Sequence, residues 1–226
     1  PRSGTTSILN YIHSSEQFAS LTYRNMPFIL SPNISKLLNK KNILKKERLH
    51  GDGILYDLDS PEAFDEVFFR NDDNFIKNEL LNYLQLVLLS KNKSRYLSKN
   101  NLNYKRIDLI NSILPNSIFL IPIRDPLQHC YSLLIQHLKF IEFEKKDDFI
   151  RRYKNYLGHK EFGIDHKPWN IPKKYTNSED INYWLEQWLS FYNTLYDKYK
   201  IYKNCVFVIY EELSNRGYLE LLSNKI

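Results

Sequence analysis

The chain has 226 residues, of which 42% are hydrophobic, and carries 32 Lys and Arg against 26 Asp and Glu, a formal charge of +6. That length can bury a sizeable core, and no apolar run reaches the roughly 18 residues that a membrane-spanning helix needs. Two cysteines, Cys130 and Cys205, without a CxxC or a His/Cys cluster, argue against a disulfide framework and a zinc site.

The chain opens on PRSGTTSILNYI, where Ile8, Leu9 and Ile12 follow a small-residue loop at helical spacing. FASLTY then reads as a short strand and NMPFILSPN as a turn-rich passage. Residues 40–46 are mostly polar and basic, a solvated face. In HGDGILYDLDSPEAFDE the glycines mark a loop, and Ser60 with Pro61 predicts a helix start, as N-cap and first helical residue. Residues 75–89 form an apolar helix candidate, and RYLS a short strand that runs into Lys99. Ile107, Ile110 and Leu114 share one helix face, which Pro115 ends.

IFLIPI at 118–123 reads as a buried strand. Pro122 belongs near its end, because proline cannot donate to a ladder. Asp125 and Pro126 suit the N-cap and first position of the next helix. Residues 141–175 are polar, aromatic and irregular, an insertion on the face of the fold. Ser178 is the expected cap of a long helix whose Trp184, Trp188 and Phe191 line up as core. VFVIY at 206–210 is the last strand. There are no repeats. Strands alternating with helices imply an α/β fold with a largely parallel sheet, and one domain over 1–226.

Two stretches carry chemistry. Gly4 permits a tight turn with backbone N–H groups pointing one way, Thr5 and Thr6 add hydroxyls, and Arg2 adds a fixed cation. The plainer alternative is an N-capped helix after a loop. An ATPase P-loop would need a lysine beside the Thr, and none is there. In IFLIPIRDPLQHCYSLL, Arg124 ends a strand, where open α/β sheets place ligands, and Ser132 follows eight residues later on the next helix. An Arg fork and a Ser hydroxyl can grip a phosphate. The positive charge is spread along the chain, with no basic arm, and suits a nucleotide or an acidic glycan better than a nucleic acid.

PRSGTT, the Lys99 stretch and RDP with Ser132 together resemble the sulfotransferases that use 3′-phosphoadenylyl sulfate (PAPS). HGDGILYDLDSPEAFDE, GHKEFG and INYWLEQWLSFYNTL are similar to a bacterial-type branch of that family. The resemblance implies a three-layer, P-loop NTPase-like α/β fold around a central, mainly parallel sheet. In such a sheet the first loop follows a buried strand, so the chain reads as a fragment without its first strand. The resemblance also implies that Arg2, Ser3, Gly4, Thr5 and Thr6 bind the 5′ end of PAPS, and that Arg124 and Ser132 bind its 3′-phosphate. Arg2 stands where the family carries its loop cation, and Lys99 matches a lysine that helps to stabilise the transferring group. The product is adenosine 3′,5′-bisphosphate, and no metal is required.

The general base does not carry over, because SLTYRNMPF has no carboxylate where family members place Glu or His. His50 is the favoured candidate, since an imidazole exchanges protons near neutral pH. Tyr23, Arg24, Glu62, His159 and Glu161 are the candidates for acceptor contacts. The acceptor itself is left open among glycan, lipid, small metabolite and protein tyrosine, as is the oligomeric state. The expected location is cytoplasmic. Two rival readings are a P-loop kinase or nucleotide phosphotransferase, and an inactive nucleotide- or glycan-binding module.

Overall fold

The computed structural model describes residues 2–26, 28–37, 44–47, 55–62, 64–69, 73–157 and 160–226. Contacts gather the chain into two compact units, Thr5–Asn103 in one and Pro1–Gly4 with Tyr104–Ile226 in the other.

In the first unit, helix α1 (Thr5–His13) buries Ile8, Leu9 and Ile12 along one face, as their spacing predicts. Strand β1 (Phe18–Ala19) leads to a short 3-10 turn, Tyr23–Asn25. The buried Asn25 accepts the Thr22 N–H at 2.9 Å and donates to Ser35 Oγ at 3.0 Å, tying the turn to helix α2 (Pro32–Leu37). Strands β2 (Lys46–Glu47) and β3 (Leu55–Tyr56) form an antiparallel pair. Helix α3 (Asp73–Lys91) supplies Tyr83 and Val87 to a core with Ala19 and Leu21. Strand β4 (Arg95–Tyr96) pairs in parallel with β1, Phe18 opposite Arg95.

The helix predicted to start at Ser60 and Pro61 is corrected. The Ser60 hydroxyl accepts the Asp57 N–H at 3.0 Å and donates to Asp57 Oδ1 at 2.8 Å, so it stabilises a turn. Pro61 forms an isolated antiparallel bridge with Thr22, which holds the backbone extended. A 3-10 helix begins only at Phe64 and runs to Phe69.

In the second unit, helix α4 (Ile107–Ile113) stops at Leu114, before Pro115. Strand β5 (Phe119–Ile123) follows. Pro122 is its fourth residue, and the Pro122 carbonyl accepts the Tyr192 hydroxyl at 2.7 Å. Helix α5 (Pro126–Lys146) starts as expected: Asp125 accepts the Gln128 N–H at 2.9 Å, and proline takes the first turn. Helices α6 (Asp148–Leu157) and α7 (Ile181–Ile201) come next. Strand β6 (Cys205–Ile209) runs parallel to β5 in register from Phe119–Cys205 to Ile123–Ile209, and helix α8 (Arg216–Ser223) closes the chain. Parallel strand pairs with packed helices make the chain α/β.

Two expectations here are also corrected. Residues 141–146 and 148–157 are helical, not irregular, with extended Asp147 between them. Glu142–Lys146 and Asp148–Arg152 pair across single turns, and Lys154 on α6 reaches Glu144 on α5 at 2.5 Å. The cap of α7 is Asp180, whose side chain accepts the Asn182 N–H at 2.8 Å, and the Ser178 carbonyl instead accepts the Trp184 indole N–H at 2.8 Å.

One cluster in this unit joins Cys130, Leu133, Phe140, Phe162, Tyr183 and Trp184, and another joins Ile107, Ile121, Tyr192, Leu195 and Cys205. Both cysteines are free and buried. Burial pushes the Cys130 thiol up to about 12, and it pushes Cys205 upward as well. Among the described residues no helix is long and apolar enough to cross a membrane.

Candidate functional site

The β5–α5 corner and the opening loop meet within one unit. β5 brings Arg124 to its C-terminal end, and the Asp125–Pro126 start of α5 turns the chain so that Ser132 lies on the second turn of the helix. Arg2 Nε donates to Ser132 Oγ at 3.1 Å. Arg124 makes only long contacts, from Nη1 to the Arg2 carbonyl and from Nη2 to Gln128 Oε1, each at 3.4 Å. Arg124 Nε is buried without a hydrogen-bond partner. Neither guanidinium forms an ion pair among the described residues. Two neighbouring cations, one bonded to a hydroxyl and the other only at long range to a carbonyl and an amide oxygen, have donors left over and are suited to an anion.

The loop is built for close approach. Arg2 has φ 62°, a left-handed conformation that disfavours a side chain by roughly 1–2 kcal/mol. Gly4 has φ 78°, and a Cβ there would lie 2.3 Å from the Tyr210 ring. Only glycine satisfies both conditions. The same ring lies under the Arg124 guanidinium, 5.0 Å from its centroid, a cation–π contact. Glu211 Oε1 accepts the Asp125 N–H at 2.9 Å, which braces the corner from the end of β6. The ring of Tyr210 thus packs against both Gly4 and Arg124, the two elements that the sequence singles out. Tyr210, Glu211 and Gln128 were not among the predicted site residues. Gln128 stands in the RDPLQ run beside Arg124, and Tyr210 and Glu211 follow the last strand, where nothing local marks them as neighbours of the opening loop.

The other predicted residues fall as follows. Ser3 is buried beside Gly4. Thr5 and Thr6 are the first two residues of α1. Lys99 lies beyond β4 on a strand extension held by the Leu97 N–H to the Ala19 carbonyl at 2.9 Å, and by Ser98 Oγ to Asp65 at 2.6 Å. Tyr23 and Glu62 are brought together, the phenol donating to the carboxylate at 3.0 Å, with Tyr23 packed on Tyr56 and Phe64. Arg24 forks onto Asp59 at 2.7 and 2.8 Å, and that hydrogen-bonded pair holds the guanidinium above its ordinary pKa. Glu161 is half-buried. His50 and His159 lie outside the described residues.

A second polar cluster in the same unit was not anticipated. Lys154 and Glu144 form a buried ion pair at 2.5 Å, and Lys154 also donates to the Phe162 carbonyl at 2.8 Å. Glu144 accepts the Ile164 N–H at 2.6 Å. Gly163, at φ 90°, lies so close that a Cβ would meet Glu144 Oε1 at 2.3 Å. The Gly163 N–H donates to His137 Nδ1 at 3.2 Å. Burial, with His166 and Lys154 nearby, lowers the His137 pKa to about 4, and burial likewise lowers His166.

A model of the sulfotransferase family matches residues 1–162, more than two thirds of the chain. The α/β organisation agrees with the P-loop-like fold of that family. No curated protein and no solved structure gives a match.

Proposed function

We propose that this chain, which belongs to the sulfotransferase family, transfers a sulfuryl group from PAPS to a hydroxyl or amine of a carbohydrate or small-metabolite acceptor. Sulfuryl transfer is the chemistry of the family. The PAPS donor and the acceptor class are our reading. The observation that carries it is the meeting of Arg2, bound to Ser132, with Arg124, which reaches the Arg2 carbonyl, without a carboxylate paired to either cation among the described residues. The orphaned Arg124 Nε is the buried donor that a dianionic group would satisfy.

Bound, PAPS would supply the sulfuryl group and an adenosine 3′,5′-bisphosphate leaving group. Arg124 and Ser132 would hold the 3′-phosphate. Arg2 and the Ser3–Thr6 run would hold the 5′ end, where backbone N–H groups and hydroxyls stabilise charge as it develops on the leaving phosphate. A guanidinium stays protonated there, so Arg2 acts as an electrostatic partner and not as an acid. Lys99 would add a second cation toward the sulfuryl oxygens. His50 would take the acceptor proton, and Tyr23, Arg24, Glu62, His159 and Glu161 would contact the acceptor. No metal takes part in this reading, and the location is cytoplasmic, which cell fractionation checks.

Calorimetry tests the donor. Adenosine 3′,5′-bisphosphate should bind equally with and without Mg²⁺, whereas a preference for ATP with Mg²⁺ overturns the reading in favour of a phosphotransferase. Arg124→Ala should weaken the bisphosphate by about 10- to 100-fold, the worth of a charged hydrogen bond, and leave adenosine 5′-phosphosulfate nearly unchanged. Equal losses would remove Arg124 from the 3′ site. For the base, His50→Ala should lower turnover about 100-fold with nucleotide affinity kept. Full turnover in that variant excludes His50.

A further inference from the structure

A cavity of about 420 Å³ opens beside the second half of α5. Its floor is His137, His166 and Tyr183, with His137 only 1% exposed and Tyr183 2% exposed. Ile141, Ile164, Pro168 and Pro172 form apolar walls, and Lys145, Thr176 and Glu179 stand at the exposed rim. Ser132 and His137 are five positions apart on α5, about 7.5 Å along the helix and about 140° around it. The cavity is therefore separate from the phosphate corner. Most of its lining also lies beyond residue 162, where the family match ends.

The floor has a defined hydrogen-bonding character. His137 Nδ1 is the acceptor for the Gly163 N–H, so the neutral ring carries its proton on Nε2. That Nε2 is buried and has no partner. Burial keeps the ring neutral, and burial also pushes the Tyr183 phenol up to about 12, so the floor carries no charge near pH 7. His166 Nε2 and the Tyr183 hydroxyl lie 2.6 Å apart, and their bond can run in either direction. A ligand group meeting this floor must accept from His137 and must suit either state of the His166–Tyr183 pair. A hydroxyl does both. A carboxylate or sulfate would bring charge onto an uncharged floor, and an ammonium could not accept at all.

We infer that this cavity is a recognition site for a neutral sugar unit, with a ring hydroxyl accepting the His137 Nε2–H and the C–H faces of the ring lying on Ile141, Ile164, Pro168 and Pro172. The volume lies in the range of small-ligand pockets and takes a single pyranose ring. The floor is rigidly supported: Glu144 and Lys154 fix the Phe162–Ile164 turn, and the Glu186 carboxylate accepts the N–H groups of Lys173, Lys174 and Tyr175 on the loop above. The site stands whether or not PAPS is the donor, because it is read from binding and not from turnover.

Ligand-observed NMR on the intact chain tests it, using methyl glucopyranoside and methyl N-acetylglucosaminide as neutral probes and methyl glucuronide and sulfate as charged ones. Binding of at least one neutral glycoside at millimolar concentration is expected, and the charged probes should bind more weakly. Ile164→Trp fills the cavity from an exposed wall position, and should weaken that binding at least tenfold at an unchanged melting temperature. His137→Phe should do the same by removing the donor. The inference is overturned if neither neutral glycoside binds the wild type at about 50 mM, if the charged probes bind better, or if Ile164→Trp binds as well as the wild type.

Discussion

The two polar clusters in the unit built around α5 use the same device to opposite ends. Each has a glycine in the left-handed region pressed against a side chain, Gly4 against the ring of Tyr210 and Gly163 against the carboxylate of Glu144. At Gly163 every charge is answered: Lys154 meets Glu144, the Phe162 carbonyl and, 4.0 Å away, the face of Phe140. At Gly4 the charges are left open, with two guanidiniums, contacts at 3.4 Å and a buried Nε without a partner. The lesson is that a close glycine marks tight packing, while the balance of charge around it tells whether the packing serves stability or a ligand.

The contrast can be broken most sharply at Lys154. Lys154→Ala strands a buried carboxylate and should destabilise the fold by about 3–5 kcal/mol. A loss under about 1 kcal/mol in urea unfolding would mean that Gly163 does not stand in a closed ionic cluster. Acid should come next. His137 has an ordinary pKa of 6.5 and a folded value of about 4, with His166, Lys154 and Lys145 as the cations or potential cations around it and, as anions, Glu179 on the same cavity and Glu144 across the Gly163 turn. Above pH 6.5 both folded and unfolded chains hold the neutral ring, so this group contributes no slope. As pH falls from 6.5 towards 4 the unfolded chain takes up the proton first, and stability falls by about 3 kcal/mol. His137→Phe should remove that part of the pH dependence, and an unchanged difference between pH 7 and pH 4.5 would count against it. The smallest effect belongs to the open corner. Arg2→Gly relieves a left-handed side chain and should change stability by no more than about 1 kcal/mol, towards the more stable side. Adenosine 3′,5′-bisphosphate affinity should nevertheless drop. A variant that loses stability and keeps affinity would place Arg2 with the structural residues.

Much of the open corner was legible, because its signals are local. An apolar run, a strand-ending arginine, an Asp-Pro cap and a serine eight residues on fix the β5–α5 turn within one stretch of chain. Tyr210 was not legible as a site residue, since its ring reaches Gly4 from the far end of the chain. The closed cluster was hidden for the same reason. His137, Glu144, Lys154 and Gly163 come from two helices and a loop, and only the first two share a face at a spacing of seven. The missed starts at Ser60 and Ser178 have a different cause. Each was a sound capping residue, but Pro61 was taken by Thr22 across the chain, and the Ser178 carbonyl was taken by the Trp184 indole. Long-range partners decided between local options of similar strength.

The buried thiols have a practical consequence. Cys130 is fully enclosed and donates to the Trp184 carbonyl at 3.3 Å, and Cys205 is 2% exposed. A thiol pushed up to about 12 has almost no thiolate to offer an alkylating reagent near neutral pH. The native chain is therefore its own blank for maleimide labelling. A dye attached through Leu127→Cys, at an exposed position on the first turn of α5, would report on the Arg124–Ser132 corner without a cysteine-free background having to be built first.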